Sequence, residues 1–311
     1  LISPDGGSIR GVSELIVLHE IMVRVQARKD LSDLPKPCEY FHLIGGTSTG
    51  GLIAIMLGRL EMSTEEALAQ YKALTGHIFS KDNQEFMGHD GTFKATTLEE
   101  KMRELLQRFS GDPEALICLV SISLKFRSTY SFVCAVPATN MRFPRIFRTY
   151  KLSGNSDSNC KIWQAARATT AAPTFFKRIS ISGVGGIEES FIDAVIRCNN
   201  PAKQVREEAK QLFGEERTVG VFVSIGTGHS GTIGLSEPDV FQRILPSQLI
   251  DTLKNIATDC ESVADELASQ YGEQEESVYF RFNVTHDVGQ ISLEEWEKIS
   301  DIVTHTRAYL Q

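Results

Sequence analysis

The 311-residue sequence contains no apolar segment long enough to cross a membrane. Its longest uncharged apolar run has about ten residues, whereas a transmembrane helix needs roughly twenty. It also lacks an amino-terminal signal with basic, apolar and small regions. We therefore expect a soluble, cytoplasmic protein that meets a membrane only at its surface. A glycine-rich loop begins as early as Asp5, so we also expect the chain to be a fragment of a longer protein.

The sequence has no excess of positive charge. Its 32 basic and 40 acidic residues give a formal net charge of −8, which argues against nucleic-acid binding and against adsorption to an anionic membrane by overall charge. Two short stretches, Lys125–Arg127 and Arg142–Arg148, do combine basic with large apolar residues. The second of them suits a membrane-facing surface. Its alternation fits a β-hairpin with solvent-facing arginines at least as well.

The cysteines form no recognisable pattern. The chain has no CxxC pair, no calcium loop and no zinc-ligand spacing. In a chain of this length we expect reduced, mostly buried thiols of an intracellular protein, and chemistry that needs no metal ion or other cofactor. The six cysteines are Cys38, Cys118, Cys134, Cys160, Cys198 and Cys260.

The apolar residues follow alternating helical and strand patterns. Helical periodicity appears over Val12–Ala27, Leu52–Leu57, Thr64–Leu74, Leu98–Phe109, Ile162–Ala168, Pro201–Leu212, Ser247–Tyr271 and Leu293–Leu310. Strand-like runs appear over Phe41–Ile44, Ala115–Ile122, Ser131–Ala135, Phe191–Ile192, Val219–Ile225 and Val278–Val284. Strands separated by helices predict an α/β fold with helices on both faces of the sheet.

The most informative motif is Gly46–Gly50, which reads GTSTG. It follows the apolar run Tyr40–Ile44 and precedes the apolar run Leu52–Leu57, the strand–turn–helix setting of a nucleophile elbow. On so sharp a turn the serine takes strained backbone angles, and glycines two residues before and after it remove Cβ atoms that would clash. The motif predicts Ser48 as a nucleophile. A glycine-rich turn without chemistry is the alternative interpretation.

A second glycine-rich loop, Asp5–Gly11, opens the first helical segment and reads DGGSIRG. The backbone N–H groups of Gly6, Gly7 and Ser8 would point into one concavity, which suits an oxyanion or a phosphate. A serine acyl-transfer enzyme needs such donors for its tetrahedral intermediate. Arg10 would orient the loop or attract an anionic head group. A helix start with a tight turn, or a nucleotide-phosphate loop, are the alternatives, although the lysine of a P-loop is missing.

A third candidate is Asp193, at the end of the short apolar run Phe191–Ile192. The polar turn Asn199–Asn200 follows soon after, so the carboxylate is placed to face a site at the edge of the sheet. A turn or cap aspartate is the alternative, because Asp and Asn dominate such positions.

Together these three stretches resemble the patatin-like phospholipases, a family of serine lipid acyl hydrolases. Further stretches that resemble the family are Ala168–Phe176, Asn199–Pro201 and Val223–Gly228. The resemblance implies a three-layer sandwich with a mostly parallel central sheet, and a catalytic domain over residues 1–230. It further implies a phospholipid or other acyl-lipid substrate, peripheral membrane contact and independence of calcium. Residues 231–311 are then a mostly helical extension packed on that domain. They are similar to the ending of patatin domains in fungal multidomain immune-receptor-like proteins, so flanking regulatory domains are expected.

The resemblance also assigns roles to the site residues. Ser48 is the nucleophile and Asp193 the general base of a Ser–Asp dyad, Gly6, Gly7 and Ser8 form the oxyanion hole, and Arg10, Gly11, Gly46 and Gly50 support the motifs. Two positions depart from the family, since Ser8 and Ala194 stand where it usually has glycine. If position 194 needs a positive φ, alanine costs about 1 kcal/mol there and shifts the Asp193 carboxylate.

Other functions stay open at this point. An α/β-hydrolase with a Ser–His–Asp triad needs a histidine after the acid, and His229, His286 and His305 qualify, His229 best. The departures at Ser8 and Ala194 motivate a catalytically weak signalling or interaction module that keeps the hydrolase fold as a scaffold. A protease or small-ester hydrolase with the same nucleophile is a further alternative.

Overall fold

The structure is a computed structural model that describes residues 1–85, 91–118, 129–152, 159–173, 175–228, 260–272, 277–284, 288, 291 and 295–311. Its strands are β1 (Ile2–Pro4), β2 (Leu43–Thr47), β3 (Tyr130–Pro137), β4 (Arg145–Arg148), β5 (Ile179–Ser182), β6 (Glu188–Asp193), β7 (Phe222–Ile225) and β8 (Tyr279–Phe282). Its helices are α1 (Gly11–Lys29), α2 (Pro37–Tyr40), α3 (Thr49–Ala54), α4 (Thr64–Ile78), α5 (Ala95–Ser110), α6 (Ile162–Thr169), α7 (Val195–Cys198), α8 (Ala202–Phe213), α9 (260–271) and α10 (Ile299–Tyr309).

All eight strands form one sheet in the order β5-β6-β3-β2-β1-β7-β8, with β4 also paired to β3. The pairs β3–β2, β2–β1, β1–β7 and β7–β8 are parallel, while β4, β5 and β6 are joined by antiparallel pairs. The mixed sheet confirms the predicted α/β class. Because β8 pairs with β7 and α10 packs on α1, these two carboxyl-terminal elements belong to the same sheet and the same helical layer as the rest. The division at residue 230 stays a prediction.

Successive strand residues face opposite sides of the sheet and so enter two separate cores. Ile44 and Val133 belong to the larger core, which α1 and α3 to α6 complete. Leu43 and Phe132, their neighbours in sequence, belong to the smaller core with α8 and α9. Helices therefore cover both faces, which gives the predicted three layers. The carboxyl ends of the parallel strands all lie at one edge of the sheet, where ligand sites of α/β proteins form.

The predicted helices and strands are found with small shifts of their ends, apart from the run Ala115–Ile122. In its described part, residues 115–118, a single isolated bridge joins Leu116 to Lys161, so that part of the strand prediction was wrong. The apolar side chains Ala115 and Ile117 are buried beside the helices instead. Residues 119–122, the amino-terminal part of the predicted helix Ser247–Tyr271, and Lys125–Arg127 lie outside the described residues.

The stretch Arg142–Arg148 divides into a turn and a strand. Arg145–Arg148 is β4, paired antiparallel with β3, so the hairpin interpretation is confirmed for this part. Arg145 forms an ion pair of 2.8 Å with Glu189, and Arg148 one of 2.6 Å with Glu208. Two of the three arginines are therefore held in ion pairs within the protein, and the membrane interpretation stays a prediction.

Candidate active site

Ser48 and Asp193 meet because two strands share one edge of β3. Strand β2 runs parallel to β3, and its last residue, Thr47, pairs with Cys134. Strand β6 runs antiparallel to β3, and its last residue, Asp193, pairs with Ala135. Because Ala135 also pairs with β4 on its other side, β6 occupies the β2 side of β3. The two strands thus approach each other end to end, and Ser48 follows Thr47 directly beside Asp193.

The turn at Ser48 has the strained geometry that an elbow requires. Ser48 has φ 55° and ψ −125° immediately before α3, and residues other than glycine rarely adopt a positive φ. A Cβ built on Gly46 would lie 2.1 Å from the Gly50 carbonyl oxygen, and a Cβ on Gly50 would lie 2.3 Å from the Asp5 carbonyl oxygen. A side chain at either glycine would therefore force the strand and the helix apart.

A threonine at the end of α6 fixes the elbow from beneath. The Ser48 N–H donates a 2.8 Å hydrogen bond to Thr169 Oγ1, whose own hydroxyl donates a 2.6 Å bond to the Cys134 carbonyl oxygen. All three residues are buried. Thr169 lies in the Ala168–Phe176 stretch that resembles the family, but sequence reasoning gave it no role. The resemblance of that stretch is the one signal that pointed to it.

The side chains of Ser48 and Asp193 are in direct contact. Ser48 Oγ donates a 2.6 Å hydrogen bond to Asp193 Oδ2, and the Val195 N–H donates a 2.9 Å bond to Oδ1. Asp193 is fully buried, whereas Ser48 keeps 9% of its surface exposed. Burial raises the pKa of Asp193 from 3.8 to about 7, against the smaller opposing effects of these two hydrogen bonds. An unusually basic carboxylate therefore holds a serine hydroxyl that solvent reaches.

The amino-terminal loop lies against this pair. A Cβ built on Gly6 would come within 3.1 Å of Ser48 Cβ. The Gly6 N–H, however, donates to the Asn199 carbonyl oxygen at 3.0 Å, and the Gly7 N–H donates to Thr49 Oγ1 at 3.0 Å. Both N–H groups are therefore bonded in this structure, and the roles of Gly6 and Gly7 as oxyanion donors stay predictions. Gly6 contributes the missing side chain that lets the loop approach the serine.

The rest of the loop is held by a buried tyrosine. Ser8 has φ 53°, the left-handed conformation that favours glycine, and its carbonyl oxygen accepts a 2.6 Å hydrogen bond from Tyr71 Oη. Gly11 leaves room for this tyrosine, since a Cβ there would lie 2.3 Å from Tyr71 Oη. Arg10 Nε donates a long, 3.5 Å bond to the Gly7 carbonyl oxygen. Arg10 thus contacts the loop itself, in keeping with the predicted orienting role.

The second departure from the family has no cost for the backbone. Ala194 has φ −76° and ψ −3°, an ordinary right-handed conformation for any residue. The anticipated penalty and the anticipated shift of Asp193 both depended on a positive φ at this position, so neither applies.

A buried ion cluster supports the loop from the carboxyl-terminal strand β8. Arg281 donates to Asp5 Oδ2 at 2.7 Å and to Glu261 Oε1 at 3.0 Å, and the Asp5 N–H donates to Glu14 Oε1 at 2.7 Å. Burial alone would lower the pKa of Arg281, but the carboxylates of Asp5 and Glu261 raise it. Burial, together with the charge of Asp5, raises the pKa of Glu14. Sequence reasoning missed this cluster because Asp5 and Arg281 are 276 positions apart.

The alternative Ser–His–Asp triad has no room for a histidine between Ser48 and Asp193, whose side chains are directly bonded. His305 lies in α10, which packs on α1. His229 and His286 lie outside the described residues.

Three further features concern the cysteines, possible metal ligands and possible membrane-spanning helices. All six cysteines are buried free thiols, as predicted. In the described ranges, no group of three or more His, Cys, Asp or Glu side chains is arranged to hold a metal ion. No helix in that same part of the chain combines the length and apolar character needed to cross a membrane.

Comparisons with known proteins agree with this geometry. The family model for patatin-like phospholipases matches residues 2–206. Patatin-like phospholipase 1 from Plasmodium falciparum is 25% identical over 94% of this chain and 44% of its own length. Patatin-like protein 3 from Arabidopsis thaliana is 27% identical over 73% of this chain and 58% of its own length. Human calcium-independent phospholipase A2-gamma is 27% identical over 91% of this chain and 34% of its own length. The chain thus spans less than two thirds of each relative.

Proposed function

Because the chain belongs to the patatin-like phospholipase family, we propose that it is a lipid acyl hydrolase with a Ser48–Asp193 catalytic dyad. The observation that carries the proposal is the 2.6 Å hydrogen bond from Ser48 Oγ to Asp193 Oδ2. A nucleophile and its base must lie within hydrogen-bond reach. The substrate class, an ester of a fatty acid, follows from the family. The fungal multidomain setting and the flanking regulatory domains stay predictions.

The reaction proceeds in two steps, and in each step Asp193 accepts one proton and then gives it up. Asp193 accepts the proton as Ser48 Oγ attacks the ester carbonyl carbon, and it returns that proton to the leaving alcohol. An acyl-serine results. Water then attacks the carbonyl carbon of this acyl-enzyme; Asp193 accepts the proton of the water and passes it to Ser48 Oγ as the ester bond to the serine breaks, and the fatty acid is released. Only Ser48 is covalently changed, and it is regenerated.

Burial makes this carboxylate basic enough to act without a histidine. Since the pKa of Asp193 is raised to about 7, the base form predominates only above that pH. We expect kcat/KM to rise with pH and to reach half of its plateau near pH 7. If kcat/KM instead reached half of its plateau near pH 4, the Asp193 carboxylate would have an ordinary pKa, and the raised value would be contradicted. The measurement is a pH–rate profile on a dispersed ester.

The oxyanion of the tetrahedral intermediate would be held by the N–H groups of Gly7, Ser8 and Thr49. Thr49 begins α3, and the first N–H groups of a helix have no acceptor within it. The Gly7 N–H donates to Thr49 Oγ1 in this structure. A rotation of the Thr49 side chain would release this N–H to an arriving oxyanion. The positive end of the α3 dipole adds to the stabilisation.

The test is mass-resolved release of fatty acid from mixed phospholipid and neutral-lipid vesicles, with a chelator present. The wild-type protein is compared with Ser48→Ala and Asp193→Asn. Ser131→Ala is the matched control, because Ser131 is a buried serine on β3. We expect Ser48→Ala to lower the rate at least about a thousandfold, Asp193→Asn at least about a hundredfold, and Ser131→Ala little.

Two outcomes would overturn the proposal. Full activity of Asp193→Asn would exclude the dyad and return a histidine to consideration. No release by folded wild-type protein would favour the weak signalling or interaction module.

A further inference from the structure

The three most exposed large apolar side chains in the described part of the chain belong to two hairpin turns. Ile187 is 74% exposed, Phe143 64% and Met141 45%. Met141 and Phe143 lie in the turn at residues 138–144 between β3 and β4, and Ile187 lies in the turn at residues 183–187 between β5 and β6. Such exposure opposes the burial of apolar surface that stabilises a fold, so it calls for a functional explanation.

Both turns project from the sheet edge that carries the dyad. The first follows the carboxyl end of β3, which is parallel to β2 and therefore ends at the same edge as Ser48. The second precedes β6, whose other end is Asp193. At about 3.4 Å per residue, Glu188 stands roughly 17 Å beyond Asp193. That distance is close to the thickness of one hydrocarbon leaflet, half of about 30 Å.

Polar bonds join the two hairpins to each other and to the site. The Ala138 N–H donates to the Ser190 carbonyl oxygen at 2.8 Å, and Arg145 binds both carboxylate oxygens of Glu189. Arg197, in the helix that follows Asp193, donates from Nε to the Met141 carbonyl oxygen at 3.0 Å. The exposed side chains thus lie on two turns whose hairpins are joined to each other and to the helix that follows Asp193.

Charge around the turns differs in sign from the whole molecule. Exposed Arg142 lies in the first turn and exposed Arg197 contacts it through the Met141 carbonyl oxygen, with Glu188 as an exposed acid beside the second turn, although the chain carries a net −8. The Arg142 guanidinium lies 5.3 Å from the centre of the Phe143 ring. Apolar tips with a basic rim match the chemistry of a bilayer interface with anionic headgroups. Two narrow turns offer far less area than a stable protein interface buries.

We propose that Met141, Phe143 and Ile187, with Arg142, form a docking surface that seats the protein on a phospholipid bilayer. The inference rests on the proposed function for its purpose, since docking there points the dyad at the membrane. A lipid partly withdrawn from its leaflet then reaches Ser48 along the hairpins. The sequence stretch Arg142–Arg148 contributes only its first two residues to this surface, and Ile187 comes from a distant turn.

Binding is measured by co-sedimentation with vesicles of phosphatidylcholine, alone or mixed with phosphatidylserine. All proteins carry Ser48→Ala, so that no vesicle is degraded. We expect Phe143→Ser with Ile187→Ser to weaken binding to both kinds of vesicle at least tenfold. We expect Arg142→Glu to weaken binding several-fold on the mixed vesicles only. The matched control is Leu31→Ser with Tyr309→Ser, two exposed apolar residues, the first just after the end of α1 and the second at the end of α10.

Turnover separates docking from catalysis. Turnover is measured in proteins that keep Ser48. There, Phe143→Ser with Ile187→Ser should lower the rate of ester hydrolysis on vesicles about tenfold and leave the rate on a dispersed short-chain ester within twofold of wild type. Unchanged vesicle binding, or equal loss in the control pair, would overturn the docking surface and leave a protein partner for the turns. Surface-dependent binding without any ester turnover would overturn the proposed function alone.

Discussion

The elbow around Ser48 and the loop around Ser8 each hold a serine at positive φ, Ser48 directly before α3 and Ser8 at the start of the short 3-10 turn that leads into α1. The elbow is held by close backbone contact, since Gly46 and Gly50 leave no space for a Cβ. The loop is held by polar side chains, among them Tyr71. The glycines that allow the elbow's close backbone contacts stand at fixed positions within one motif, whereas the side chain that holds the loop comes from elsewhere in the chain.

The two regions also differ in what the strain accomplishes. At Ser48 it aims a hydroxyl at a buried carboxylate. At Ser8 it presents a carbonyl oxygen that accepts a hydrogen bond from Tyr71 Oη. Strain in the elbow thus positions a reacting atom, and strain in the loop positions the backbone around it. Substitutions that affect one region and not the other test this division.

The largest effect is expected at Asp193, the carboxylate that the elbow faces. Its pKa is about 7 in the folded protein and about 3.9 when unfolded. The folded state therefore binds the proton more tightly, and its stability falls as pH rises between these values. Asp193→Asn removes this titration. From pH 5 to pH 8 we expect the variant to gain about 3 kcal/mol in free energy of unfolding relative to wild type.

Urea unfolding of both proteins at several pH values measures that difference. Glu14 and every other buried acid are present in both proteins, so their contributions cancel. If the difference in free energy of unfolding between the two proteins stays constant with pH, burial does not raise the Asp193 pKa. The elbow would then not face an unusually basic carboxylate.

The next effect is expected in the loop. Tyr71→Phe removes the hydrogen bond that the buried Tyr71 hydroxyl donates to the part-buried Ser8 carbonyl oxygen, which should lower the free energy of unfolding by about 2 kcal/mol and lower kcat several-fold. Tyr150→Phe is the matched control, because Tyr150 is also buried and donates 2.7 Å to Glu208 in the other core. We expect a similar loss of stability there, with kcat unchanged. Equal kcat in both variants would mean that the loop tolerates a free Ser8 carbonyl.

This contrast also explains how far the sequence alone reaches. The elbow was predictable because strand, turn and helix are consecutive, from Leu43 to Ala54. Thr169 and Tyr71 were not, since their partners lie 121 and 63 positions away. The hydrogen bond of the Gly6 N–H was not predictable for the same reason, because its acceptor, the Asn199 carbonyl oxygen, is on another segment. The hairpin containing β5 and β6 was seen only in part, because short strands give little periodic signal.

A smaller effect separates the strain of Ser48 from its chemistry. Both Ser48→Ala and Ser48→Gly remove the hydroxyl, so both should be inactive. Only glycine is at ease at φ 55° and ψ −125°, so Ser48→Gly should unfold with about 1 kcal/mol more free energy than Ser48→Ala. Thermal or urea unfolding at one pH decides it. If alanine is the more stable of the two, the elbow is not under backbone strain at all.

The smallest effect is expected for Ser8→Gly, which restores the residue usual in the family. Relief at φ 53° is offset by the greater freedom of glycine in the unfolded chain, so stability should change by less than about 1 kcal/mol. Asp30→Gly is the matched control, because Asp30 has φ 52° at the end of α1 and is remote from the site. If the loop already holds Ser8 in its working conformation, the rate stays within twofold in both variants. A tenfold gain in Ser8→Gly alone would show that this serine restrains catalysis, and would favour the weakly catalytic module over an efficient hydrolase.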